Sequence, residues 1–234
     1  MSENNFKFSV ENEETTITEY IGKDKDVTIP SEIEGYPVTA IDSYAFCNCR
    51  DIVSIGIPDT VKIIGESAFH NCTNLESITI PDSVVIIGEN AFQGCRDLET
   101  ALISNSVKNI DEGVFSHCSS LTSISLPKEL VNIEDGAFAM CENLKNIEFP
   151  DTLTGIGDSA FYGCKSLSSI ELSNAFTFIE DKAFNFSKVN NLKLSTICGL
   201  RALGMKPVKI NEFLKANELS IIEARELVDK SNKI

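Results

Sequence analysis

The chain has 234 residues, 20 of them basic and 35 acidic, for a net charge of −15. That length allows one or two domains with a real core, and an acidic surface repels phosphate backbones and anionic lipid, which argues against nucleic acid and membrane as partners. The charge is uneven: residues 201–234 carry 7 basic and 5 acidic side chains, net +2, and residues 1–200 carry 13 and 30, net −17. No run approaches the ~18 apolar residues of a membrane span. Met1–Val10 has no basic segment followed by an apolar one, so no secretory signal is read there. The expectation is a cytoplasmic protein, with the cell surface or secretion as the alternative if an export signal has been removed.

In chain order, Phe6–Val10 and Thr16–Ile21 are β-prone runs around the polar turn Glu11–Glu14, which predicts a hairpin. Val27-Thr28-Ile29-Pro30 then resembles Ile78-Thr79-Ile80-Pro81 further on, so residues 1–37 read as an N-terminal β cap or half-repeat covering the open end of a stack. From Val38 a 23-residue unit begins seven times, at Val38, Val61, Val84, Val107, Leu130, Leu153 and Phe176, and fills residues 38–194. A fixed period in the 20–29 range marks a leucine-rich-repeat solenoid.

Within each unit the fourth position is Ile (Ile41 to Ile179), the ninth is Phe (Phe46 to Phe184) and the fifteenth is Ile52 or Leu (Leu75 to Leu167). The segment Val38-x-x-Ile-Asp and its copies read as strand and turn. A four-residue alternating run such as Ser77-Ile78-Thr79-Ile80 follows, closed by Pro81, Pro127 or Pro150, and this predicts one short strand per unit in a parallel sheet with rungs about 4.8 Å apart. The stacked Phe side chains form the spine of the core. In the last unit Phe184-Asn185-Phe186-Ser187 replaces Phe-x-x-Cys, and Val189, Leu192 and Leu194 keep their places only if one residue is deleted. Residues 195–234 then predict a C-terminal helical cap: one helix over 195–203 stopped by Gly204 and Pro207, one with Ile210, Phe213 and Leu214 on a face, and one opened by the capping box Ser220-Ile221-Ile222-Glu223.

The unit V-x-x-I-G/D-E/D-x-A-F-x-x-C-x-x-L-x-x-I-x-I/L-P-x-x resembles the BspA-like leucine-rich repeat over residues 38–194. The resemblance implies an α/β repeat solenoid, a right-handed superhelix with short parallel strands on a concave face, without enzymatic activity and binding other proteins. Secreted members are adhesins that bind host or extracellular-matrix proteins, which makes an adhesin-like surface protein the alternative reading.

Six cysteines, Cys49, Cys72, Cys95, Cys118, Cys141 and Cys164, take the twelfth position of successive units. One thiol per rung does not supply the paired ligands of a zinc site, so these read as a ladder of small buried side chains in a reducing compartment. A thiol-based metal or redox protein is the competing idea. The sixth position is acidic in six units, Glu66, Glu89, Glu112, Asp135, Asp158 and Asp181. That edge could meet a basic partner, but a linear ridge does not converge on calcium. His70 and His117 read as exposed loop residues. No catalytic motif, cofactor motif or metal motif is found.

In each strand the seventeenth and nineteenth positions face out on the concave side. They are Ser54 and Gly56, Ser77 and Thr79, Thr100 and Leu102, Ser123 and Ser125, Asn146 and Glu148, and Ser169 and Glu171. A flat face of small polar groups suits a protein partner better than a small molecule. The expectation is therefore a monomeric, non-catalytic scaffold or recognition protein that binds through this face or the acidic edge.

Overall fold

The computed structural model describes residues 5–172, 178–179, 182–187 and 191–194. The helices expected over 195–234 lie outside the described residues. The chain opens with a hairpin, β1 (Phe6–Glu11) against β2 (Glu14–Tyr20), antiparallel, with a two-residue turn at Asn12 and Glu13. Both turn residues are left-handed (φ 51° and 63°), the twist a tight hairpin needs. The hairpin does more than lie over the stack. β2 pairs in parallel with Tyr36–Ile41 and so begins the first ladder of the repeats.

Each repeat crosses the same corners in the same direction with two strands, one in the leading segment read as strand and turn and one in the alternating run. A two-residue strand at the third and fourth positions forms one ladder: Ala40–Ile41 pairs with Ile63–Ile64 and that with Ile86–Ile87. A second run joins Asn109–Ile110, Asn132–Ile133, Gly155–Ile156 and Phe178–Ile179. The strands at the seventeenth to nineteenth positions form the other ladder. Asp26–Thr28 pairs with Ser54–Gly56, so the N-terminal segment supplies half a repeat, and Ser77–Thr79, Thr100–Leu102 and Ser123–Ser125 pair side by side. Ser169–Leu172 pairs with Asn191–Leu194 at an offset of 22, the one-residue deletion that Leu192 and Leu194 require.

The architecture corrects the expected class in one respect. Among the described residues there is no α-helix, so the rungs form a β-solenoid rather than an α/β one. The backbone gives the reason. The turn around Ala-Phe is bracketed in every rung by two left-handed residues, at the seventh position (Tyr44, Ser67, Asn90, Gly113, Gly136, Ser159, Lys182) and the eleventh (Asn48, Asn71, Gly94, His117, Met140, Gly163, Phe186). A left-handed L-residue costs about 1–2 kcal/mol, and two of them four residues apart leave no room for a helix to propagate. The strain is offset by bonds between rungs. The seventh, ninth and eleventh N–H groups donate to carbonyls of the next rung, as in Ser67 to Glu89 (2.8 Å), Phe69 to Ala91 (2.8 Å) and Asn71 to Gln93 (2.8 Å).

The core is one column. Phe46, Phe69, Phe92, Phe115, Phe138 and Phe161 are fully buried, and their rings stack at 4.9–5.6 Å. Phe184 continues the stack at 5.2 Å from Phe161. At the other end Tyr20 stacks on Phe46 at 5.3 Å and Phe6 tilts against Tyr20, so aromatic rings from the hairpin cover what would be an open end. Each buried Phe contributes about 1.5–3 kcal/mol by transfer, and each ring contact about 0.5–1.5 kcal/mol more.

Candidate functional site: the outer face of the strand ladder

The alternation of the longer strands places Ile78, Ala101 and Ile147 inward, 3–7% exposed, and turns their neighbours out. Ser77, Thr79, Thr100, Leu102, Ser123, Ser125, Asn146 and Glu148 are all exposed, and the parallel register sets them in two columns. Gly56 is exposed and Ser54 half-buried, its Oγ donating to Asp26 Oδ1 at 2.6 Å. Ser169 and Glu171 lie on the strand Ser169–Leu172, and their side chains lie outside the described residues. Leu102 is 50% exposed and is the apolar side chain on this otherwise small, polar face. Its rung lacks the usual Pro, and Ser104 does that work instead. Buried, Ser104 donates to the Val84 carbonyl (2.7 Å) and accepts from Ser106 N–H (3.0 Å).

The face is not continuous. No strand forms at Asn146–Glu148, contrary to expectation, and the ladder is also interrupted between Ser54–Gly56 and Ser77–Thr79. The twentieth position differs at the former. Ile80, Ile103 and Leu126 hold it in the preceding rungs, but here it is Phe149, whose ring turns edge-on to Phe161 at 5.8 Å. The change from an aliphatic side chain to this ring coincides with a segment that does not pair with the strand before it.

Along the acidic edge Glu66, Glu89, Glu112 and Asp135 are exposed, Asp158 is half-buried, and Asp181 lies outside the described residues. Glu66 accepts from the Tyr44 hydroxyl at 2.7 Å, and Asp135 accepts from Asp158 N–H at 2.7 Å. The fifth position adds charge that the sequence reading passed over. Asp111 is held above the usual carboxylate range by burial and by Glu89, and Glu134 by burial, Asp111 and Asp135. On the shorter ladder Ile63, Val85 and Ile86 are 42–50% exposed, an apolar patch signalled only by Val85-Ile86 standing where other rungs carry Lys62 or Asn109.

The cysteines are buried as a ladder, and the structure adds a bond. Sγ of Cys72, Cys95, Cys118, Cys141 and Cys164 donates to the carbonyl of Phe46, Phe69, Phe92, Phe115 and Phe138 respectively, at 3.1–3.3 Å. Burial pushes Cys95 and Cys164 up to about 12 and Cys118 and Cys141 well above the ordinary thiol value, so these are neutral donors rather than thiolates. Cys47 and Cys49, half-buried, are also raised, Cys49 to about 11, again by burial first, which is the wrong direction for a reactive pair. His117 is exposed as expected, but His70 is half-buried and its Nδ1 has no hydrogen-bond partner, which corrects the reading of both as surface residues. Among the described residues no three His, Cys, Asp or Glu side chains are placed to hold a metal ion, and no helix is long and apolar enough to cross a membrane.

Parallel strands recurring every 23 residues around a Phe column, with Leu or Ile at fixed inward positions, define a leucine-rich-repeat solenoid. The model of the BspA type leucine rich repeat region (6 copies) matches residues 39–145 and 115–213, and the chain belongs to that family. Among solved structures it is similar to a leucine-rich repeat protein from Eubacterium ventriosum, with 29% identity and a TM-score of 0.70 over 84% of this chain; the chain spans 53% of that protein's length. It is similar in fold to the T. pallidum leucine rich repeat protein, at 22% identity and a TM-score of 0.53 over 92% of this chain and 94% of the other. No curated protein matches. Leucine-rich-repeat modules generally bind proteins.

Proposed function

We propose that this chain is a non-catalytic recognition protein that binds a protein partner across the outer, concave face of its longer-strand ladder, and that it acts as a monomer in the cytoplasm. The observation that supports this reading most is the face itself: two exposed columns of small polar side chains on a rigid, hydrogen-bonded sheet, with Leu102 as an apolar anchor and Glu148 as a charge. Such a surface excludes little volume and presents regularly spaced hydrogen-bonding groups, which suits an extended protein surface. The line of neutral, buried thiols at rung spacing fits a reducing compartment, where they face no pressure to oxidise.

The test is affinity capture from the organism's own cytosolic extract with the full chain, beside a Glu148→Lys/Glu171→Lys variant. The reading expects a partner retained by the parent chain and lost, by at least about tenfold in affinity, with the reversal of both charges. A partner held equally by both chains removes the face from the proposal. If that extract yields no partner and a second capture from extracellular and host-surface proteins does, an adhesin is favoured instead.

A further inference from the structure

The interruption at the fifth repeat opens a pocket of about 500 Å³ between the strand Ser123–Ser125 and the segment Asn146–Pro150. This is within the ~300–1,000 Å³ range of sites that hold a small ligand. At three other joints the twentieth N–H closes the ladder by donating to the nineteenth carbonyl of the next rung, Ile29 to Gly56 (2.9 Å), Ile80 to Leu102 (2.9 Å) and Ile103 to Ser125 (3.3 Å), whereas at the earlier interruption Ile57 N–H makes no such bond to Thr79. The corresponding bond from Leu126 N–H to the Glu148 carbonyl is not made, and neither group has another backbone partner among the described residues. One backbone bond at 3.4 Å, from Lys145 to Thr122, holds the two rungs together at the entrance of the strands. Two strand edges therefore face each other with a free donor on one and a free acceptor on the other.

The slot is apolar at its floor and polar at its lips. Ile124 and Leu126 are half-buried, as is Ile57 at the earlier interruption, whereas Ile78, Ile80 and Ile103 beside the closed joints are 2–3% exposed. Phe149 forms the rest of the floor. Glu148 stands on one side and Lys128 at the end toward which the strands run, both exposed and without an ion-pair partner among the described residues. A small apolar molecule would fill the floor and leave Leu126 N–H and the Glu148 carbonyl unpaired, at a cost of about 1–3 kcal/mol for each such group removed from water. An extended peptide satisfies both, because its main chain carries a donor and an acceptor per residue and its alternate side chains point one way.

We propose that this slot is a docking site for a short extended peptide segment that pairs its backbone with Leu126 and Glu148 and places one apolar side chain on Ile124, Leu126 and Phe149, with basic and acidic flanking residues toward Glu148 and Lys128. The proposal deepens the reading of the ladder face as a protein-binding surface and rests on it. It differs in locating recognition in an opened strand edge rather than in the columns of small side chains.

The experiment uses the full chain, two end-capped pentapeptides, Lys-Thr-Leu-Thr-Glu and Glu-Thr-Leu-Thr-Lys, and backbone amide exchange followed by NMR. In the free protein the Leu126 amide is expected to exchange about tenfold or more faster than those of Ile80 and Ile103, and to become protected when one of the two peptides binds. N-methylation of the peptide's central amides abolishes binding. Phe149→Leu restores the aliphatic residue of the other rungs, so it is expected to protect Leu126 without peptide and to weaken peptide binding about tenfold or more, with the fold intact by circular dichroism. The proposal is overturned by any of three results: a Leu126 amide as protected as Ile103 in the free protein, no binding of either peptide, or binding indifferent to N-methylation and to Phe149→Leu. Failure here is distinguishable from failure of the face as a whole. The face is scored by a captured protein and the Glu148→Lys/Glu171→Lys variant, the slot by Leu126 exchange and Phe149→Leu.

Discussion

Phe115→Leu separates ring stacking from plain apolar burial in the column that joins the rungs. Phe115 is fully buried, its ring 5.5 Å from Phe92 and 5.6 Å from Phe138, each pair within 6° of parallel. Leucine keeps most of the apolar area, so the transfer contribution changes by less than about 1 kcal/mol, whereas two ring contacts worth about 0.5–1.5 kcal/mol each are lost. The expected destabilisation is about 1–4 kcal/mol, and for a chain of this size that lowers the melting midpoint by roughly 2–16 °C. Urea denaturation followed by far-UV circular dichroism gives the free energy. The decisive measurement is a double-mutant cycle. Phe115→Leu with Phe92→Leu should couple by about 0.5–1.5 kcal/mol, while Phe115→Leu with Phe46→Leu, three rungs away, should add within about 0.5 kcal/mol. Equal coupling at both separations, or none at either, would refute the view that stability passes from rung to rung through the rings.

The thiol ladder predicts that Cys72, Cys95, Cys118, Cys141 and Cys164 resist a thiol-modifying reagent in the native protein, that Cys47 and Cys49 react first, and that the buried five react together on unfolding; modification of Cys118 ahead of Cys47 would contradict it. Because burial raises Cys95 and Cys164 from 9.0 to about 12, the stability they hold is complete below about pH 9 and is lost as the pH rises toward 12. The melting midpoint should therefore fall less steeply over that window in Cys95→Ala/Cys164→Ala than in the parent, and parallel curves would refute the assignment. At the fifth position a Cβ on Gly88 would stand 2.6 Å from Glu66 N and 2.8 Å from Gly65 C, so Gly88→Ala is expected to cost about 1–3 kcal/mol through overpacking. Gly136→Ala has open space but a φ of 59°, and its cost, about 1–2 kcal/mol, comes from the left-handed backbone instead. Trimming side chains should relieve neither, because Gly88 faces backbone atoms, whereas Gly136→Asn should recover part of the Gly136→Ala loss since Asn tolerates the left-handed backbone, which urea midpoints of the variants would show.

The period and the Phe column were legible because each is written in side-chain identity and repeated seven times, and the alternation that exposes positions such as Ser77, Thr79, Thr100 and Leu102 is written in the same way. The one-residue slip at Leu192 and Leu194 was legible for the same reason. What escaped reading lies in the backbone. His117, Met140 and Lys182 occupy left-handed turns that Asn or Gly would have signalled, and interrung hydrogen bonds hold them there. The bond from each Cys thiol to the Phe carbonyl of the previous rung connects residues 26 apart and leaves no local pattern. Asn146-Ile147-Glu148-Phe149 alternates like its neighbours, so periodicity does not reveal that it fails to pair, just as Ser54-Ile55-Gly56-Ile57 does not reveal the earlier interruption. His70 was misplaced because the tenth position has no constant residue type from which its burial could be inferred.

Because most rungs repeat the same Phe stacking and the same Cys-to-Phe bond to the rung before, a whole unit can be removed without changing the kind of joint that remains along the core. Removing residues 84–106 would set Phe115 over Phe69 and offer the Cys118 thiol to the Phe69 carbonyl that Cys95 now occupies. A gene encoding such a chain can therefore gain or lose whole units by unequal recombination, and each product meets the same joints. The reach of the recognition surface is thus open to rapid evolutionary adjustment, while an irregular rung such as the one holding Phe149 travels as a cassette that carries its opening with it.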